Sequence, residues 1–328
     1  MLLNKKDVNE ALRLLSGDAE LYVPGEVGGV SRFVLWSNGE LEPEYSNTLL
    51  PPKDILFPNT EKMYSFKTSA DPEISEAAEN RRQIIFGIRP CDVSAIDCMD
   101  RVFLEKTFVD SFYARKRENT TLIAMACAAP GEFCFCDSMG LNPNTAPEAD
   151  MLLIDMGDKF GIEAHTEKGK AIAKLWDGLI TKGKAKHGDA ACTLKTNMSK
   201  KIPEKLAGMF EHEIWEDAGK ACIGCATCTY ACPTCYCFDI GIDSHGNEGV
   251  AFRCWDSCMF SEYSRMAGGH NPRPTKKERV RNRYMHKLSY FNERYGKTLC
   301  VGCGRCVYKC PANLDITEFI DKVAEVSL

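Results

Sequence analysis

Two cysteine runs in the last third of the chain have the residue type and spacing for metal chemistry. They read Cys222-x2-Cys225-x2-Cys228-x3-Cys232-Pro233 and Cys300-x2-Cys303-x2-Cys306-x3-Cys310-Pro311. This spacing is typical of chains that bind a pair of [4Fe-4S] clusters, in which three cysteines of a run ligate one cluster and the fourth ligates the other. We therefore predict cluster 1 on Cys222, Cys225, Cys228 and Cys310. Cluster 2 is predicted on Cys300, Cys303, Cys306 and Cys232.

Zinc sites and a disulfide framework are the alternatives for these runs. Zinc ligands usually come as two separated Cys-x2-Cys pairs, a pattern that these runs do not have. Disulfides are rare in reducing compartments, and residues 1–7 become charged too soon for a secretory leader. Both alternatives are therefore disfavoured, and we expect a cytoplasmic location.

Composition limits the class of protein further. The chain has 328 residues, of which 27% are charged and 44% hydrophobic, which is typical of a globular protein with two or three domains. A net charge of −5 argues against nucleic acid as a partner. No run of apolar residues is long enough to predict a membrane span. The 18 cysteines, in a reducing compartment, indicate metal binding.

A second set of cysteines lies near the ends of predicted strands in the N-terminal part. Cys91 follows the buried strand 84–88, and Cys127 ends the strand-like segment 121–126. If these strands are neighbours, both thiols emerge at one edge of the sheet, where Cys134 and Cys136 can approach them. We predict a third [4Fe-4S] cluster on these four residues. The alternative is that they are buried free thiols, which pack like small hydrophobic side chains.

The remaining cysteines have less specific patterns. Cys235, Cys237, Cys254 and Cys258 follow the first run and could form a further metal site, a group of redox-active thiols, or packing around the clusters. We expect Cys98, on a predicted helix, to lie in the core. We expect Cys192 to be an incidental surface thiol.

The predicted fold class is α+β. One domain would carry the N-terminal cysteines, and a second would carry the two cysteine runs. Residues 1–205 are predicted to form an N-terminal mixed α/β domain, with a helix through Val8, a strand at 84–88 and a hairpin over 151–162. A helix beginning near Asp92 could be capped by that residue. Residues 206–328 are predicted to form a helical, two-cluster ferredoxin-like domain with a long insertion at 233–299.

Three further segments bear on the organisation of the chain. A polar, lysine-rich helical stretch is predicted over about 166–215, and a helix is predicted over about 276–294. The basic stretch 265–287 is interpreted either as a solvated helix face or as positive charge that raises cluster potentials and docks an acidic partner.

The sequence lacks the motifs of several cofactors that carry out two-electron chemistry. No Gly-x-Gly-x-x-Gly follows a predicted strand, so we expect neither a flavin nor a nicotinamide on this chain. Iron–sulfur clusters transfer one electron at a time. We therefore expect a conduit for electrons, with two-electron chemistry on other subunits.

Several phrases together resemble one family. The cysteine-bearing phrases are Arg89-Pro90-Cys91-Asp92, Cys134-Phe135-Cys136-Asp137, Cys232-Pro233-Thr234-Cys235-Tyr236-Cys237, Trp255-Asp256-Ser257-Cys258 and Cys300-Val301-Gly302-Cys303. In order and spacing they resemble the iron–sulfur subunit shared by anaerobic sulfite reductase and cytosolic sulfhydrogenases, where it is the beta subunit. The similarity runs from about residue 84 to the C-terminus.

This resemblance implies an electron-transfer subunit without a catalytic site of its own. Its implied partners are a flavin- and NAD(P)H-binding subunit and a terminal catalytic subunit, which is a sulfite reductase, a hydrogenase or a heterodisulfide-reductase-like module. The family cysteines carry over to the eight residues of clusters 1 and 2, to Cys91, Cys134 and Cys136 with Cys127 between them, and to Cys258. Relatives can have a hydroxyl residue near Cys254.

Two other hypotheses remain open from the sequence. In one, the chain is itself a reductase that acts on a sulfur substrate through Cys235, Cys237 and Cys258. In the other it is an adaptor, whose clusters only hold the fold together.

Overall fold

The computed structural model describes residues 1–37, 39, 41, 47–77 and 81–327. Its strands are β1 (Leu2–Asn4), β2 (Glu20–Val27), β3 (Val30–Leu35), β4 (Thr60–Lys67), β5 (Glu73–Glu76), β6 (Gln83–Ile88), β7 (Thr120–Met125), β8 (Met151–Asp155), β9 (Lys159–Ala164), β10 (Ile180–Thr181), β11 (Phe238–His245) and β12 (Glu248–Trp255). Its α-helices are α1 (Val8–Ser16), α2 (Lys53–Leu56), α3 (Pro90–Phe103), α4 (Ser111–Asn119), α5 (Glu167–Leu175), α6 (Lys201–Gly208), α7 (Ile214–Ala221), α8 (Thr227–Tyr230), α9 (Lys276–Met285), α10 (Phe291–Tyr295), α11 (Arg305–Tyr308) and α12 (Ile316–Glu325). Short 3-10 turns lie at Lys5–Asp7 and Glu262–Ser264, and a π-helical segment, His286–Tyr290, joins α9 to α10.

The N-terminal region is a mixed sheet with helices on both faces. Its eight strands lie in the order β10-β1-β9-β8-β7-β6-β2-β3, and β2, β6, β7 and β8 are parallel. Side chains of α1 pack on one face and side chains of α3 on the other. The predicted strands at 84–88 and 121–126 are confirmed as β6 and β7, and the helix through Val8 as α1. Because β6 and β7 are parallel neighbours, their carboxyl ends meet at one edge.

A second sheet joins the two halves of the chain. Its order is β11-β12-β4-β5, so a hairpin from the insertion pairs with a hairpin from the N-terminal part. The buried Arg253 of β12 forms ion pairs with Glu61 and Asp110 across this junction. The prediction of a helical second half missed this hairpin, although the helix over about 276–294 is confirmed as α9, the π segment and α10. The division at residue 205 stays a prediction.

The helices of the C-terminal half enclose a separate core. Trp215 of α7 and Tyr284 of α9 both pack against Phe319 of α12, with ring centroids 4.9 and 4.6 Å apart. This core supports the segments that carry the two cysteine runs. In the described part of the chain, no helix is long and apolar enough to cross a membrane.

One local prediction was wrong, and another holds only in part. Helix α3 starts at Pro90 after Arg89, and its residue Asp92 lies inside the first turn, where it pairs with Arg305 and does not cap. The lysine-rich stretch 166–215 is helical only in parts, namely in α5, α6 and the start of α7, and 182–199 contains no helix. The lysine side chains of 182–199 are exposed, so they provide no apolar face on which a helix could pack.

Candidate metal centres

The cysteines assigned to cluster 1 line one pocket. Cys222, Cys225, Cys228 and Cys310 surround it together with Cys306. Cys222 follows the end of α7, and the chain then turns through Gly224 at φ +74°, a conformation that favours glycine. The Gly224 N–H lies 3.3 Å from Cys222 Sγ, where it would stabilise a thiolate.

A second backbone amide reaches the same pocket, because the Leu314 N–H lies 3.2 Å from Cys310 Sγ. Cys225 is exposed, so this site is open to solvent at one edge.

The cysteines assigned to cluster 2 lie deeper and interact with one another. The pKa of Cys300 is raised to about 12, mainly by burial and secondly by the neighbouring Cys306. Burial likewise raises the pKa of Cys303. Cys232 is buried, and its electrostatic effect contributes to raising the pKa of both Cys300 and Cys303. Buried thiolates at these positions therefore need positive charge close by. In the described part of the chain, no three histidine, cysteine or acidic side chains are placed to hold a single metal ion.

The four N-terminal cysteines come together at the edge where β6 and β7 end. Cys91, Cys127, Cys134 and Cys136 line one pocket, and Cys303 of the second run lines it with them. Burial raises the pKa of Cys91, Cys134 and Cys136 alike. The sheet topology thus produces the expected convergence. Cluster binding by these four residues stays a prediction.

The loops that carry cluster 2 and the N-terminal cysteines touch directly. The Phe135 N–H donates to the Gly302 carbonyl at 2.8 Å, and Cys134 Sγ lies 3.7 Å from the Cys303 carbonyl oxygen. Gly302 has φ +62°, and a Cβ there would lie 2.5 Å from Cys136 Cα. Only glycine permits this approach.

An ion pair fixes the same junction. Arg305 donates to both carboxylate oxygens of Asp92, at 2.6 and 2.8 Å, and to the Thr48 carbonyl at 2.7 Å. Both charged side chains are almost fully buried. A bidentate, buried pair of this kind holds two segments in one orientation.

The later cysteines form a smaller group. The Cys237 and Cys258 thiols hydrogen-bond to each other, and this contact lowers the pKa of Cys237 to about 6. Cys235 hydrogen-bonds to Cys232, and its electrostatic effect contributes to raising the pKa of Cys258. Cys254 lies on β12 opposite Asp239. The role of these four residues stays a prediction.

Cys192 was wrongly predicted to be a surface thiol. It is 3% exposed, and its Sγ lies 3.5 Å from Cys136 Sγ. Its backbone N–H donates to the Asp137 carboxylate at 2.9 Å, so the irregular segment 182–199 folds over the loop of Cys134 and Cys136. The sequence contains no pattern that would predict this contact. Cys98 is buried in the core, as predicted.

Three cations are buried beside the cysteines. Lys53, Arg283 and Lys287 are each 5% exposed or less. In the described part of the chain none of them forms an ion pair with a carboxylate, whereas the buried Arg253 and Arg305 do.

The surroundings of these cations are thiols and carbonyls. Arg283 donates to the Cys228 carbonyl at 3.2 Å, while its Nε, also buried, has no partner among the described residues. Burial alone would lower the pKa of Lys287, but Cys232 and Cys235 outweigh it and raise that pKa. Buried charge is costly unless it is compensated. A cluster held by four thiolates is anionic, so these residues fit such a group.

The comparisons with known proteins agree with this chemistry. Residues 221–314, which contain both cysteine runs, match the family model of the 4Fe-4S dicluster domain. The C-terminal part is thus a domain for two [4Fe-4S] clusters. No solved structure gives a significant match to the chain.

A curated relative identifies the family more closely. Sulfhydrogenase 2 subunit beta of Pyrococcus furiosus is 30% identical over 297 residues, which cover 87% of this chain and 86% of that protein. The chain therefore belongs to the family of the sulfhydrogenase beta subunit, and the resemblance seen in the sequence is confirmed.

Proposed function

We propose that this chain is the electron-relay subunit of a cytoplasmic, multi-subunit oxidoreductase. Single electrons pass between a partner that binds flavin and NAD(P)H and a terminal catalytic subunit. That subunit is a sulfite reductase, a hydrogenase or a heterodisulfide-reductase-like module. Membership in the sulfhydrogenase beta family supports a role in electron transfer.

The observation that carries the proposal is that two cysteines assigned to cluster 2 also line the pockets of cluster 1 and of the third site. Cys306, assigned to cluster 2, also lines the pocket of cluster 1. Cys303, also assigned to cluster 2, lines the pocket of the third site. Cluster 2 is therefore the middle member of a series. We propose that the series runs from the exposed Cys225 inward to cluster 2 and on to the N-terminal pocket.

The residues of the chain have separate parts in this function. When bound, the clusters supply one-electron chemistry, and the cysteine thiolates hold their irons. Backbone amides such as that of Gly224 stabilise the thiolates. The Gly302 and Phe135 contact keeps the loops of the middle and N-terminal sites close enough for transfer.

The test is an iron and sulfide count on anaerobically purified protein, combined with EPR. Three clusters would give about twelve irons per chain, and two would give about eight. Cys303→Ser should lose cluster 2 and abolish transfer between the partner subunits. Cys98→Ser, a buried thiol outside the three pockets, is the matched control. Full transfer through a cluster-depleted Cys303→Ser complex would refute the relay.

A second candidate function is a reductase that uses Cys235, Cys237 and Cys258 on a sulfur substrate. The lowered pKa of Cys237, caused by its hydrogen bond with Cys258, favours it, because a thiolate is the nucleophile in such reactions. The burial of Cys258 argues against substrate access. Turnover of sulfite or a disulfide by the isolated protein, with an artificial donor, would support this candidate.

A further inference from the structure

We propose that Lys53 and Lys287 are built-in counter-charges of cluster 2 and raise its reduction potential. The inference rests on the proposed function, because it requires a cluster at Cys232, Cys300, Cys303 and Cys306. It goes further by assigning a role to two residues that bind no iron.

Lys287 approaches this site from the helical half of the chain. Its Nζ lies 2.6 Å from Thr234 Oγ1 and 3.4 Å from the Leu299 carbonyl oxygen, and the side chain is 2% exposed. Thr234 Oγ1 in turn lies 3.3 Å from Cys232 Sγ. One hydroxyl therefore separates the ammonium from a cluster ligand. Lys287 also belongs to the π-helical segment, a geometry that is rare and often found at functional sites.

Lys53 approaches from the N-terminal half. It lies on the short helix α2, and its Nζ donates to the Cys235 carbonyl at 2.9 Å and to the Thr229 carbonyl at 3.4 Å. The Nζ also lies 4.0 Å from the centre of the Trp255 ring. These partners are dipoles and an aromatic face, which only partly offset the burial of a full charge.

Two buried cations elsewhere in the molecule are paired with carboxylates. Arg253 has Glu61 and Asp110, and Arg305 has Asp92. In the described residues, Lys53 and Lys287 have no such partner within 4.0 Å. In place of a carboxylate, both ammonium groups interact electrostatically with the thiols of Cys232 and Cys235. Because Cys232 is a proposed ligand of cluster 2, that cluster is the natural counter-ion.

The consequence for redox chemistry follows from charge. Reduction adds one negative charge to an already anionic cluster, so a nearby buried cation stabilises the reduced state more than the oxidised state. In a low-dielectric interior this attraction is stronger than in water. When a cluster is held by Cys232, Cys300, Cys303 and Cys306, both lysines would therefore raise its reduction potential.

The test is an EPR-monitored redox titration of the full chain, with iron counted in each sample. The variants are Lys287→Met and Lys53→Met, which keep an apolar stem and remove the charge. Lys205→Met is the matched control, because Lys205 also donates to backbone carbonyls, those of Val323, Ala324 and Val326, but at no cysteine.

We expect the midpoint potential of one and the same cluster to fall in both lysine variants and not in the control. The ratio of reduced to oxidised cluster at the parent's midpoint should fall about tenfold, which is ~59 mV for one electron. An unchanged potential in both variants, with full iron content, overturns the inference. If Lys287→Met loses iron, the titration of Lys53→Met decides, because Lys53 reaches the site from the other side. Absence of clusters in the parent would instead refute the proposed function.

Discussion

Replacing Gly302 with alanine should separate the loops of cluster 2 and the N-terminal pocket. The new Cβ would lie 2.5 Å from Cys136 Cα and 2.6 Å from the Phe135 carbonyl oxygen. Both are backbone atoms, which cannot rotate away as a flexible side chain could. The residue also has φ +62°, which costs an alanine about 1–2 kcal/mol. Overpacking at such a contact adds about 1–3 kcal/mol.

The left-handed conformation and the overlap together should lower the free energy of unfolding by about 2–5 kcal/mol. For a chain of this size that is a fall of about 4–10 °C in melting temperature, at roughly 2 °C per kcal/mol. The overlap falls on the segment that carries Cys134 and Cys136, so iron at the third site should be lost first. Anaerobic thermal melting and iron counting measure the two effects.

Gly296→Ala is the matched control for this prediction. Gly296 has φ +67°, but a Cβ there would meet nothing within 4 Å. It therefore shares the conformational cost, about 1–2 kcal/mol, without the overlap. If Gly302→Ala melted and bound iron like Gly296→Ala, the close approach of the loops would have no energetic consequence, and the part assigned to the Gly302 and Phe135 contact would fail.

Three further predictions test the N-terminal site and its attachment. Cys134→Ser should lose about four irons per chain and keep the EPR signals of clusters 1 and 2, because its thiol lines the pocket of the proposed third cluster and is not among the eight ligands of the other two. Cys192→Ser should keep all iron, because Cys192 lies behind Cys136 and is not one of the cysteines that line that pocket. Arg305→Ala should lower the free energy of unfolding by about 3–5 kcal/mol, because it leaves the buried Asp92 carboxylate without its partner. Arg294→Ala, at an exposed ion pair, should have almost no effect.

Each of these predictions has an outcome that contradicts it. A Cys134→Ser protein with unchanged iron would remove the third cluster from the proposal. Loss of iron in Cys192→Ser would make Cys192 a ligand and require a new ligand set. Equal melting temperatures for the two arginine variants would mean that the buried pair does not hold the junction. Iron counts, EPR and thermal melting answer all three.

The sequence predicted the parts of the structure in which local patterns determine the outcome. Cysteine spacing within a run depends on a few consecutive residues, so it indicated the dicluster domain, which the family match confirms. Continuous apolar runs likewise predicted β6 and β7, and the parallel pairing of those strands brings Cys91 and Cys127 to one edge.

Contacts between distant segments could not be predicted in this way. Nothing near Asp92 in the sequence indicates that its partner is Arg305, more than two hundred residues away. Cys192 lies in a segment without regular structure, so no periodicity revealed that it would be buried. The hairpin of β11 and β12 was missed although Phe238, Ile240 and Ile242 alternate along β11, so a local signal for that strand was present. Nothing local indicated that β12 pairs with β4, which lies far away in the sequence.

The contacts that sequence reasoning missed have a common position in the fold. Asp92, Lys53 and Gly302 all make contacts that cross between the N-terminal part and the dicluster domain. The second sheet crosses the same division, since β12 pairs with β4. A ferredoxin-like segment alone could bind two clusters, but it would lack Lys53, the Asp92 carboxylate and the wall that Cys136 provides. The N-terminal part therefore does more than carry a further cysteine pocket, because it supplies charge and packing to the proposed site of cluster 2.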